Sequence, residues 1–126
     1  MAKEYLKLEN LTVYQLAREL SRIGWEIYSS MDWQTKKIMG DQFIEAVDSV
    51  GANIAEGFGR FHFLDKAKFY FNARGSLIES KHWLDLIRER EKTSNDKIDG
   101  FTECYKNLHP ALNGLIESVK KQKEKP

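Results

Sequence analysis

Residues 98–119 read IDGFTECYKNLHPALNGLIESV, and within them Ile98, Phe101, Tyr105, Leu108, Leu112, Leu115 and Val119 advance by three and four in alternation. One apolar side chain per helical turn makes a single stripe along one rod, which has to be hidden against other rods inclined at roughly 20°. Pro110 falls inside the run. Lacking an N–H, it predicts a kink between Lys106 and Pro110, while the stripe beyond it argues against a break.

Three further segments carry the same spacing. Val13, Leu16, Leu20, Ile23 and Ile27 predict a helix over about 11–29, with Asn10 or Thr12 as its cap. Phe43, Val47, Val50 and Ile54 predict a second over about 33–57, capped by Asp32 and stopped by a left-handed Gly57. Phe63, Ala67, Tyr70, Leu77 and Leu84 predict a third over about 64–92. The turn residues 93–96 follow, where Ser94 or Asn95 caps a fourth over about 95–121. No stretch alternates as a strand does, and no internal repeat is visible. Rods of this length with short links bury four stripes together only by lying lengthwise. The expected fold is all-α, an antiparallel up-down-up-down four-helix bundle forming one domain over 1–126, with 1–9 and 122–126 frayed.

The 126 residues include 20 Lys and Arg against 19 Asp and Glu, a net charge of +1. A dedicated nucleic-acid binder is usually strongly basic, so any RNA or DNA contact has to use a local face. Residues 60–92 hold eight basic side chains against five acidic, whereas residues 31–59 hold two against five. Cys104 is the lone cysteine, which excludes an internal disulfide and, inside a helical run, predicts a buried thiol in a reducing compartment. The chain opens without the pattern of a signal peptide, and no window approaches the roughly 20 apolar residues of a bilayer span. The expected location is the cytoplasm, with no membrane partner.

Catalytic chemistry finds little footing. Glu79 and His82 match Glu-x-x-His, half of a di-iron site in a bundle core, but His62 and His109 have Gly59 and Lys106 three residues earlier, so the second half is missing. One cysteine and three scattered histidines cannot close a zinc site, and no phosphate-binding loop or nucleophile set is readable. No catalytic residue, metal or cofactor is expected. Ser76 beside Gly75 reads as a small pair that lets helices approach closely.

Apolar surface exceeds what one stripe per helix uses. On the third helix Phe69, Trp83 and Ile87 fall on a second line roughly 100–150° from the first, and Tyr14 and Trp25 lie off the stripe of the first helix. Such a line marks a subunit interface; a merely wide core is the other reading.

Residues 53–60 read NIAEGFGR. Glu56, near a helix C-terminus, is unfavourably placed unless a cation answers it, and Arg60 and Arg74 are in reach. Asn53, Glu56, Gly57, Arg60 and Arg74 are therefore a candidate polar clamp, or else a recognition site for phosphate or a partner chain. Residues 58–71, FGRFHFLDKAKFYF, interleave rings with cations. With Arg60, Lys66, Lys68 and Arg74 as phosphate contacts, such a mixture binds single-stranded nucleic acid. Alternatively Phe58, Phe63, Tyr70 and Phe71 turn inward, leaving Phe61 and Phe69 outside.

The string NIAEGFGR, followed by GSLIE at 75–79, resembles the bacterial four-helix-bundle family encoded in intervening sequences of 23S ribosomal RNA genes, over about residues 10–120. The resemblance implies an antiparallel bundle assembling into a ring-like homopentamer, no enzyme activity, and a poorly defined role in which RNA, the ribosome or another protein is the partner. Glu45 and Asp48 stand where relatives often carry basic residues, which weakens an RNA role for the second helix.

Overall fold

The structure is a computed structural model describing residues 6–124. A single 3₁₀ turn, Leu8–Asn10, precedes helix α1, Thr12–Ser29. Helix α2 is continuous over 33–58 and has three parts: an opening turn at Trp33–Thr35, a π-type turn at Lys36–Gly40, and a regular run at Asp41–Phe58. Helix α3 spans Phe63–Glu89 and α4 spans Asn95–Glu124. The described residues contain no strand.

Each helix packs on two others: α1 on α2 and α4, and α3 on α2 and α4. In two of these pairs the contacts run in opposite order. Gly51 faces Ala17 and Gly24 faces Val47, while Arg74 meets Asn113 and Phe71 meets Lys120. Helices α1 and α2 are therefore antiparallel, and so are α3 and α4. Across the middle, Phe43 of α2 and Phe101 of α4 bring ring centroids to 5.5 Å. Leu20, Ile27, Ile54, Leu77, Leu108 and Leu112 belong to the same core and are fully buried. Each such side chain is worth about 1.5–3 kcal/mol of transfer free energy.

Several local expectations are corrected. Neither Asn10 nor Thr12 caps α1; Leu11 holds the cap position without a side-chain bond, and Thr12 is already helical. Asp32 does cap α2, its Oδ1 accepting from the Thr35 N–H at 2.7 Å, and Ser94 Oγ accepts weakly from the Lys97 N–H at 3.4 Å. In α4 the seam drifts: Cys104 and Ile116 are buried, while Tyr105 and Leu115 are only half so. A straight helix has 3.6 residues per turn, so a 3.5-residue repeat slides sideways by about 20° per heptad. The helix continues through Pro110 and reaches Glu124, so residues 122–124 are helical; residues 1–5 and 125–126 lie outside the described part.

Gly57 is not a left-handed stop, because α2 runs on to Phe58 and no glycine among the described residues has positive φ. A Cβ on Gly57 would lie 2.6 Å from a ring carbon of Tyr70, so the glycine lets α2 and α3 approach. Gly75 meets nothing within 4 Å, so the Gly75–Ser76 pair is not a close-approach site. Helix α3 ends at Glu89, short of Lys92. The Lys92 N–H donates to the Ile87 carbonyl at 2.9 Å and the Glu91 N–H to the Arg88 carbonyl at 3.0 Å, with Glu91 left-handed at φ 54°. This is a Schellman ending with glutamate where glycine is usual.

Candidate functional site

The α2–α3 hairpin gathers the sequence motif. The Asn53 side-chain amide donates to the Ser49 carbonyl at 2.8 Å, one turn back on its own helix. The Glu56 carboxylate lies 3.5 Å from the Arg60 guanidinium, and both side chains are about half exposed. Such a surface pair is worth about 0–1 kcal/mol. Arg74 is not part of this pair: its Nη1 donates to Asn113 Oδ1 at 3.1 Å, and its Cζ lies 5.0 Å from the Phe71 centroid. Six residues along α3 from Lys68, it faces α4 instead.

Of the four expected phosphate contacts, Arg60 and Lys68 sit over Phe69, at 4.8 and 5.9 Å from its centroid. Lys66 is engaged elsewhere. Its Nζ donates to the carbonyls of Gly57 and Phe58 at 3.3 and 3.0 Å, answering the negative end of α2, and burial pushes its pKa down. Its position one turn into α3, directly over the end of α2, shows only once the hairpin is closed. Phe61 is 91% exposed, with the His62 ring edge-on at 5.3 Å.

The expected interface line on α3 turns inward. Ile87 is fully buried, Trp83 packs against the core with its indole N–H donating to Glu79 Oε2 at 3.3 Å, and Phe69 is half-buried beneath its cations. Wedged between α2 and α4, α3 must bury a wide arc, and both of its apolar lines fall inside it. Phe71, expected inside, is 39% exposed. The apolar residues that α3 leaves out are Leu64, Phe71 and Ile78, seven residues apart, and that interval was the overlooked signal. On α1, Tyr14 is half-buried and accepts from Arg18 Nη1 at 3.1 Å, while Trp25 is exposed and stacks on Tyr28 at 5.4 Å.

The opposite end of the bundle is an elbow around the π-type turn. Trp33 and Ile38 are exposed there, and Lys36 and Lys37 lie 5.0 Å from the ring centroids of Tyr28 and Trp33 respectively. Between α1 and α4 runs a groove of about 510 Å³ floored by Leu16, Ile23 and Cys104. Burial pushes the Cys104 thiol up to about 11, and its Sγ lies 3.4 Å from the Leu16 carbonyl. A thiol protonated at neutral pH is a poor nucleophile. Glu79 and His82 are exposed, and among the described residues no three His, Cys, Asp or Glu side chains are placed to hold a metal. No described helix is long and apolar enough to cross a membrane.

The sequence pattern of the 23S rRNA-intervening sequence protein family matches residues 9–114. Among solved structures, a protein of unknown function from the S23 ribosomal protein family of Bacteroides thetaiotaomicron is similar, with a TM-score of 0.77 at 20% identity. The match covers 83% of this chain and 98% of that one, and at such identity it shows the fold alone. A search of curated proteins finds no match.

Proposed function

The chain belongs to the 23S rRNA-intervening sequence protein family, and from that premise we propose that it is a non-enzymatic homo-oligomeric helical-bundle scaffold of the cytoplasm. The observation that carries this is the apolar line on α3, with Leu64 61%, Phe71 39% and Ile78 52% exposed in the isolated chain. Large apolar side chains in a row cost solvation free energy until something covers them, and a second copy is always at hand. The assembly is a homopentamer, in keeping with the family resemblance. Light scattering on the purified protein tests it: a mass several times 14.7 kDa is expected, and a monomer at micromolar concentration overturns it.

A second reading has its own observation. At the hairpin, Phe61 stands almost wholly in solvent beside His62 and next in sequence to Arg60, which shares the Phe69 ring with Lys68, an arrangement suited to stacking a base and holding its phosphates. In that reading the protein associates with RNA or the ribosome directly. Binding of a single-stranded oligoribonucleotide would weaken by about tenfold or more between low and moderate salt; binding indifferent to salt would exclude phosphate contacts.

A further inference from the structure

The exposed line on α3 is a ridge. Leu64, Phe71 and Ile78 recur every seven residues, which keeps them on one side of the helix over about 21 Å. Between Phe71 and Ile78 the helix is bare at Gly75, where an added Cβ would meet nothing within 4 Å. Two cations flank its centre: Arg74 Cζ lies 5.0 Å and Lys120 Nζ 5.6 Å from the Phe71 centroid, Lys120 also pairing with Glu117 at 3.3 Å while Arg74 meets no carboxylate among the described residues.

The groove between α1 and α4 has the opposite character. Its floor is apolar and its rim carries Glu19, Glu26, Asp96 and Glu103 against Arg22 and Lys97. Arg22 is already held between Glu19 and Glu26, and the hydrogen bond from Arg22 keeps the Glu19 carboxyl below its usual range. Asp96 and Glu103 make no ion pair among the described residues. The α4 backbone is open at Gly100, where again nothing lies within 4 Å of an added Cβ. The groove walls run from Leu16 to Glu26 on α1 and from Asp96 to Asn107 on α4, roughly 15 Å, comparable with the ridge.

We propose that the α3 ridge of one copy seats in the α1–α4 groove of a second copy, with the cations flanking Phe71 meeting the carboxylates of the groove rim. This inference rests on the homo-oligomer reading and names the surfaces that make it. Ridge and groove are different surfaces, so each copy gives its ridge to one neighbour and its groove to another. Repeated contacts of this kind close into a ring or run on as a filament, whereas a self-complementary contact pairs copies two by two. Burial of three large apolar side chains supplies the attraction, and the complementary charge selects the groove over the mixed surface elsewhere.

The test uses two single-cysteine proteins, Gly75→Cys and Gly100→Cys, each also carrying Cys104→Ala and a different affinity tag. They are co-expressed, purified and treated with a short bis-maleimide. The expected result is covalent dimers joining position 75 to position 100, located by peptide mass spectrometry, with neither protein cross-linking efficiently alone. Efficient cross-linking of Gly75→Cys to itself would overturn the proposal in favour of α3 packing on α3. So would a normal-sized assembly without any 75–100 link. Phe71→Glu is expected to lose the assembly while keeping its helical circular dichroism, whereas Trp33→Glu at the elbow keeps both. If Phe71→Glu retains the wild-type mass, the ridge is not the contact. A wild-type protein that is itself monomeric would instead remove the homo-oligomer reading.

Discussion

The two ends of the bundle close with the same kind of contact and differ in how much they can yield. At the hairpin, Gly57 lies beneath Tyr70, whose ring is 2% exposed and has nowhere to move. At the elbow, Gly40 lies beneath Tyr28, which is only half-buried and whose hydroxyl donates to Asp41 Oδ1 at 2.7 Å. There the nearest atom to an added Cβ is the Met31 sulfur at 2.8 Å, the far end of a flexible side chain. The cations differ as well. Lys66 answers the carbonyls at the end of α2, whereas Lys36 and Lys37 rest over rings and make no ion pair among the described residues. Rings and lysines are interleaved at both ends, yet at the hairpin much of that mixture holds the fold together. Composition alone does not separate a binding face from a packed one.

The sharpest way to break this contrast is to fill both glycines. Gly57→Ala should lower stability in urea by about 2–3 kcal/mol, because a rigid ring is overpacked. Gly40→Ala should change it by under about 1 kcal/mol, since Met31 can shift and alanine regains helix propensity. Equal losses would mean that the two ends are equally stiff. Next in size, Lys66→Met should cost about 1–2 kcal/mol through lost charge-assisted bonds to the carbonyls of α2, and Lys37→Met less than about 0.5 kcal/mol. Glu91→Gly, in the α3–α4 link at the elbow end, should raise stability by about 0.5–1 kcal/mol by relieving a left-handed glutamate.

The smallest effect is the part of the pH dependence that comes from the elbow. The Thr35 N–H holds the Asp32 carboxyl below its usual range. A lowered carboxylate pKa contributes stability above the unfolded-state value and loses it as pH falls through the folded value. Asp32→Asn should therefore shrink the loss of stability on acidification, measured as the change in urea midpoint between neutral and acid pH. An unchanged acid limb would show that the cap has no bearing on it.

The helical fold was legible because the stripes repeat for roughly three to six turns, long enough for burial to overrule local detail. The caps at Asp32 and Ser94 were legible because a polar side chain stood just ahead of a periodic run. The azimuth of α3 was not. Apolar residues lie nearly all round it, so which of Phe69, Phe71, Ile78 and Ile87 reaches solvent depends on where α2 and α4 lie. Lys66 was misplaced for a related reason: an ammonium one turn into a helix reads as exposed until the preceding helix ends beneath it. The π-type turn at Lys36–Gly40 left no mark in the apolar pattern; within it Met39 and Gly40 are buried, Gly40 against Met31 and Tyr28.

If the fold leaves the outer line of α3 for another copy to cover, unfolding and dissociation are linked, and stability must depend on how much protein is present. The urea midpoint of the wild-type chain, followed by circular dichroism from about 1 to about 100 μM, is predicted to rise steadily with concentration. A midpoint that stays the same over that range would mean that the bundle stands alone with its apolar ridge in water.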